Sequence, residues 1–210
     1  RRISDLQFLS QVAAYKPFCE AFILLENGRK AEALDLLTGA DAQGNLTLLF
    51  WSAKILGENG RIQEALSKYS QFPENSSYQT VVLMNCAELY AEAGDLNKAL
   101  QQAQQAYLSM PELPEAQYCY ADKLYRAGRL SEIVDVVRIT PATPWSDELR
   151  RLWITGMEAL LRQAEKSGQS EKLLELCERL LQVDPQNQIA EEYRQKVDST
   201  LSSSQVERGE

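Results

Sequence analysis

One short stretch is written four times in this chain. It reads Gly28-Arg29-Lys30-Ala31-Glu32-Ala33-Leu34, then Gly60-Arg61-Ile62-Gln63-Glu64-Ala65-Leu66, Gly94-Asp95-Leu96-Asn97-Lys98-Ala99-Leu100 and Gly128-Arg129-Leu130-Ser131-Glu132-Ile133-Val134. The four glycines stand 32, 34 and 34 residues apart. Each follows an apolar pattern of helical period and precedes another. Glycine enters the left-handed conformation that closes one helix, and the polar tract behind it starts the next. Each copy is therefore expected to be the elbow of a helix-turn-helix hairpin, and a period near 34 residues is that of a helical solenoid.

Between the elbows the chain reads as helix nearly throughout. Residues 1–13 carry a capping or partial-repeat helix expected to stop before Pro17. That proline then suits the first turn of a new helix reaching about Asn27. Later helices are expected over 29–37, 45–59, 62–71, 78–93, 96–109, 115–127 and 130–138, where Pro141 and Pro144 break the chain. Ser146 caps a longer helix to about Ser167, and Gly168 makes a further elbow before helix 171–182. Trp145 and Trp153 are expected to seal the junction beside the proline break. A final helix within 186–203, with one thin apolar stripe, covers the open end of the stack, and 204–210 is expected to be a disordered tail.

Composition excludes more than it selects. A net charge of -8 argues against a general phosphate-backbone binder, so no nucleic acid is expected. No apolar run approaches the ~20 residues of a membrane span, and no secretory signal follows Arg1-Arg2, so no direct membrane insertion is expected of this segment. A soluble, cytoplasmic location is slightly favoured, with the periplasm open for a fragment of an exported protein. Cys19, Cys86, Cys119 and Cys177 stand singly, without CxxC spacing, and read as small buried apolar residues. Histidine is absent, which removes the commonest general base and metal ligand. No P-loop, GxGxxG turn or metal spacing appears. No catalytic, cofactor-binding or metal residue is nominated, and no cofactor is expected.

The repeated residues resemble the tetratricopeptide repeat family, whose unit prefers small residues at positions 8 and 20, an aromatic at 11, glycine or a small residue at 15 and proline at 32. Residues 80–113 match through Ala87, Tyr90, Gly94, Ala99, Ala106 and Pro111. Residues 46–79 match through Ala53, Leu56, Gly60 and Ala65, and the unit about 14–45 through Ala21, Leu24 and Ala33. Residues 114–147 keep Ala121, Leu124 and Gly128 but place Ile133 at the second small position. The unit 148–185 keeps Leu180 and Pro185 but has Leu161 and Leu173 at both small positions. The resemblance implies an all-α, right-handed α-solenoid of about five hairpins with a C-terminal capping helix. Positions 8 and 20 would face each other, letting helix axes approach to about 8 Å.

It also implies a concave groove lined by the first helix of each hairpin. Carrying over positions 2, 5 and 9 selects Tyr15, Phe18 and Phe22, then Thr47, Phe50 and Lys54, then Val81, Met84 and Glu88, then Glu115, Tyr118 and Asp122. Trp51, Asn85 and Cys119 lie beside them. Such a groove is aromatic at its N-terminal end and acidic further on, suited to a protein or peptide segment with basic and apolar residues. The alternative is that Phe18, Phe22 and Phe50 pack inside, with the acids merely solvated. The carboxylate clamp of some family members is rejected, because Asn85 is preceded by Phe50 and Lys54 and followed by Glu115 and Cys119, where the clamp's gripping cations should stand. The leading expectation is a non-enzymatic scaffold binding a partner peptide or helix in this groove. The alternative is an accessory repeat region of a larger membrane-associated or envelope assembly or export protein, and self-association through the aromatic edge is a third.

Overall fold

The computed structural model describes residues 2–39, 45–137 and 146–206, the side chains of 2–12, 14 and 200–206 excepted. Among the described residues the chain is all helix and turn. In order the helices are α1 (Arg2–Glu26), α2 (Lys30–Gly39), α3 (Leu46–Glu58), α4 (Ile62–Tyr69), α5 (Gln79–Glu92), α6 (Leu96–Ser109), α7 (Pro114–Arg126), a 3-10 turn (Leu130–Glu132), α8 (Ile133–Val136), α9 (Asp147–Lys166), α10 (Ser170–Val183) and α11 (Gln188–Val206). They fall into two compact units, residues 1–110 and 111–210.

In the first unit α1 packs on α2, α3 on α4 and α5 on α6, and α3 also touches α1 and α5. Each elbow is built the same way. At Gly60 (φ 80°) the glycine N–H donates to Gly57 O at 2.8 Å and the Arg61 N–H reaches back to Leu56 O at 2.9 Å. This Schellman pairing satisfies two carbonyls that the helix end leaves orphaned, and it requires φ above zero at the glycine. Gly28, Gly94, Gly128 and Gly168 repeat it, with φ between 65° and 81°.

The residue after the glycine then ties down the next helix. Arg29, Arg61 and Arg129 each fork onto the carboxylate three residues on, with Nε to Oε1 distances of 2.8, 2.7 and 2.6 Å to Glu32, Glu64 and Glu132. At the third elbow Asp95 instead accepts from the Lys98 backbone N–H at 3.1 Å and pairs with its ammonium at 3.0 Å. Arg61 also binds Asp35 at 2.5 Å, and Thr38 donates to Glu64, so the second elbow is laced to α2.

Along the seams the small residues are fully closed off. Ala21, Ala33, Ala53, Ala65, Ala87, Ala99 and Ala121 are each 0% exposed. In the second unit Ile133, Leu161 and Leu173 occupy the equivalent places and are also buried. Another close approach lies between hairpins, at Gly156 of α9. A Cβ added to it would stand 3.0 Å from Leu130 O and Val134 Cγ2, so α9 lies directly on the 3-10 turn and α8. At the far end Asn187 caps α11 by accepting from the Ala190 N–H at 3.1 Å, and Tyr193 and Lys196 both bind Glu165 of α9.

Four expectations need correction or limit. The break before Pro17 does not occur, because α1 runs through that residue. An interior proline forfeits one backbone hydrogen bond, and beyond it Ala21, Leu24 and Leu25 join the first unit's core and hold the segment helical. The expected helix 130–138 shrinks to a 3-10 turn and a single α turn, as befits the β-branched run Ile133, Val134, Val136 and Val137. The terminal helix extends to Val206, into the expected tail, whose last four residues lie outside the described ones, as do Pro141, Pro144 and Trp145. Cys19 is exposed, unlike Cys86, Cys119 and Cys177. Trp153 is 2% exposed within the second unit.

Two outcomes test this packing. Ala87→Leu and Gly156→Ala each overfill a closed contact and should cost about 1–3 kcal/mol in urea unfolding. Gly57→Ala should cost less, since the atom its Cβ meets at 2.8 Å is the movable end of Leu89. The second concerns acid. Glu32 and Glu132 are held below their usual range by the hydrogen bonds from Arg29 and Arg129, Glu64 by that from Thr38 and then Arg61, and Asp95 by the Lys98 N–H. Carboxyls lowered by folding stabilise the chain above their unfolded pKa, near 4.3 for glutamate, and lose that contribution as pH falls through the folded value. The melting temperature should therefore drop between about pH 5 and pH 3, and less steeply in Glu64→Gln.

Candidate interaction faces

The first helices of the hairpins present the side chains nominated from the sequence, and the two units carry separate parts of them. In the first unit α1 offers Tyr15 and Phe22, both 44% exposed, with half-buried Phe18 tilted against Phe22 at a centroid distance of 5.0 Å. The Tyr15 hydroxyl accepts from Asn45 Nδ2 at 3.1 Å, and Asn45 Oδ1 caps α3 at the Leu48 N–H. The ring is thereby fixed to the start of the next hairpin.

On α3 the indole of Trp51 is 43% exposed and carries the Lys54 ammonium 5.1 Å from its centroid. Phe50 goes the other way. It is half-buried against the core and meets Trp51, Tyr69 and Tyr78 at 5.9, 6.1 and 5.6 Å. Phe50 is thus a structural ring with a partly open edge, and the freely presented aromatic is its neighbour Trp51. Thr47 is exposed and lies 2.9 Å, hydroxyl to hydroxyl, from Tyr78.

From α5, Val81, Met84 and Asn85 are half-buried and Glu88 is exposed. Asn85 donates through Nδ2 to Val81 O at 2.7 Å. Lys54, Asn85 and Glu88 come together around a cavity of about 130 Å³ between the last turns of α3 and α5, whose lining also includes Gly57, Glu58, Tyr69, Leu89 and Glu92. Lys54 Nζ stands 3.8 Å from Glu58. Tyr69, 3% exposed, has a buried hydroxyl without a hydrogen-bond partner among the described residues. Burial, and then the neighbouring Cys86 and Glu58, push its pKa up, so the phenol stays neutral. A wider cavity of about 600 Å³ opens against the second-helix side, with Leu66, Phe72, Leu83 and Cys86 in its wall and uncharged Gln102 and Gln105 beside it.

In the second unit Tyr118 is 39% exposed and borders an open hollow of about 440 Å³ with Pro114, Glu115, Ser146 and Glu148. Asp122 is already paired, 2.8 Å from Lys123 Nζ and 2.9 Å from Arg126 Nε, and Cys119 is buried. The acid presented beside Tyr118 comes from Glu115 and Glu148 instead.

Sequence reasoning missed Tyr69, Glu58, Glu92 and Glu148. Tyr69 belongs to a second helix, which the family pattern assigns wholly to packing. Gly57 was the one available signal, since a glycine inside an otherwise regular helix marks a close neighbour.

Urea unfolding separates the two rings of α3. Phe50→Ala should cost about 3 kcal/mol, as large-to-small changes against a core do, and Trp51→Ala less than about 1 kcal/mol.

No protein-family model matches the chain, and none of the curated proteins matches it. Among solved structures, a tetratricopeptide repeat protein from Parabacteroides merdae ATCC 43184 aligns over 90% of this chain and 73% of its own, with a TM-score of 0.55 at 20% identity. The assembly chaperone of RpL4, Acl4, aligns over 94% of this chain and 99% of its own, but with a TM-score of 0.27 at 15% identity, too low a likeness to argue from. Elbows, alanine seams and this structural likeness agree: the chain has the tetratricopeptide-repeat fold.

Proposed function

We propose that this chain is a non-catalytic protein-interaction module that receives a peptide or helix of a partner against the first-helix face of its hairpins. The observation that carries the reading is the aromatic surface of α1 and α3. Phe22 and Trp51 leave more than two-fifths of their area in solvent although neither ring is needed to close the core. Large rigid rings of this kind supply contact area at low entropic cost and recur as the anchors of protein interfaces. Charged groups on the first helices of each unit suit a partner as well. Acids outnumber bases around Asn85 and beside Tyr118, which favours a segment that mixes apolar anchors with basic residues.

Selection of a random peptide library on the immobilised chain tests this. The expected winners combine aromatic or aliphatic anchors with basic residues. Trp51→Ala and Phe22→Ala should each weaken the best peptide about tenfold, ~1.4 kcal/mol, while leaving the urea midpoint in place. No enrichment, or binding indifferent to both substitutions, overturns the reading.

A further inference from the structure

The second-helix side of the first unit holds a furrow that docking on the first helices leaves unused. Helix α4 has 8 residues and α6 has 14, so at 1.5 Å per residue α6 is about 9 Å longer, nearly two turns. The early stop has a local cause. Phe72 precedes Pro73, and the residue before a proline is driven out of the helical region, so the chain leaves α4 and crosses to α5 as turn. The cavity of about 600 Å³ lies between that crossing segment and the second half of α6, and its size is that of a ligand site. Val82, Leu83 and Cys86 of α5, Phe72 of the crossing segment and Leu108 of α6 supply its apolar wall. Leu108 is 65% exposed, and Phe72 and Leu83 are only half-buried, so this apolar strip is open to a partner.

The polar part of the lining has an unusual chemistry. Four of its members are amides: Asn75 and Gln79 from the crossing segment and the start of α5, Gln102 and Gln105 from α6. At the end of α4, Ser70 and Gln71 spend their side chains on Ser67 O. The four amides make no such bond to protein among the described residues. Each keeps two N–H donors and a carbonyl acceptor to offer. Amides scattered over a surface would carry no message, but these approach one apolar strip from different elements. Among the lining residues only Glu74 is charged, so an anion finds no counter-charge and a cation only a single carboxylate.

We propose that this furrow is a second docking site, which takes an extended, uncharged peptide segment with an aliphatic or aromatic anchor. The amides choose between the two common forms of a peptide partner. A helix arrives with its backbone hydrogen bonds already made internally and gives the amides nothing to bind. An extended segment brings a free N–H and a free C=O at each residue, and its side chains alternate between two sides. Its backbone bonds the glutamines and Asn75, while the inward side chain settles among Phe72, Leu83 and Leu108. Backbone bonds give such a complex its affinity and the apolar strip its choice of side chain. The site lies apart from the first-helix face and stands whether or not that face binds.

The test uses the full chain. Acetyl-Ala-Leu-Phe-Ala-amide is titrated into ¹⁵N-labelled protein, beside a copy methylated on its backbone nitrogens and the acidic peptide acetyl-Asp-Leu-Phe-Asp-amide. Saturable shifts are expected at the side-chain amides of Gln79, Gln102 and Gln105 and at the backbone of Leu83 and Leu108. The methylated copy keeps the side chains but loses the donors, and should bind about threefold more weakly or worse. The acidic peptide should weaken by about as much, since it meets Glu74 and no cation. Gln102→Ala combined with Gln105→Ala should weaken the parent peptide about threefold or more while the melting temperature holds, because neither side chain is buried. Absence of saturable shifts, equal binding of the methylated copy, or indifference to the paired glutamine change would overturn the site. Shifts centred on Phe22 and Trp51 would assign the peptide to the first-helix face, which removes the second site and leaves the first reading standing.

Discussion

Everything in this fold depends on how closely two helices of a hairpin can approach. The seam residues Ala53 with Ala65 and Ala87 with Ala99 are completely closed to solvent, so each hairpin closes over small side chains at its seam, with larger ones such as Leu56, Tyr69 and Leu89 filling the core beside it. Dispersion contacts are weak singly and fall off quickly with a gap, so a narrow seam gains many of them at once. The Schellman turn makes the approach possible, because it reverses the chain in three residues and satisfies the outgoing helix's carbonyls while doing so. The arginine–glutamate forks begin the next helix within the same few residues.

The second unit departs from this pattern. Ile133, Leu161 and Leu173 stand buried where alanines would. Its glycine contact serves a different junction, between hairpins: the bare Cα of Gly156 lets α9 lie against the Leu130 carbonyl and the side chain of Val134.

Legibility in the sequence followed the range of the interactions. Elbows and seams were readable at Gly60, Gly94, Ala87 and Ala99 because each is a local rule repeated at a fixed period. The continuity of α1 through Pro17 was not readable, because propensity weighs one lost hydrogen bond and cannot see that Ala21, Leu24 and Leu25 are anchored on the core. Phe22 and Trp51 were nominated only through the helix positions that the family resemblance implies, and both rings are exposed. The pairing of Asp122 with Lys123 and Arg126, the inward turn of Phe50 and the arrival of Tyr69 from a second helix were not legible. Those depend on which rotamer a neighbour leaves room for, and spacing along one helix says nothing of that.

One feature of α1 bears on how the molecule can be studied and how it ages. Cys19 is open to solvent, next to Phe18 in sequence and one turn from Phe22, while the thiols of Cys86, Cys119 and Cys177 are enclosed. Burial pushes the Cys86 thiol up to about 11 and raises Cys177 as well, so neither supplies much of the reactive thiolate near neutrality. A maleimide dye or a mild oxidant accordingly meets this chain at a single address. The protein arrives with its own fluorophore anchor beside the aromatic face, and air is a hazard there first.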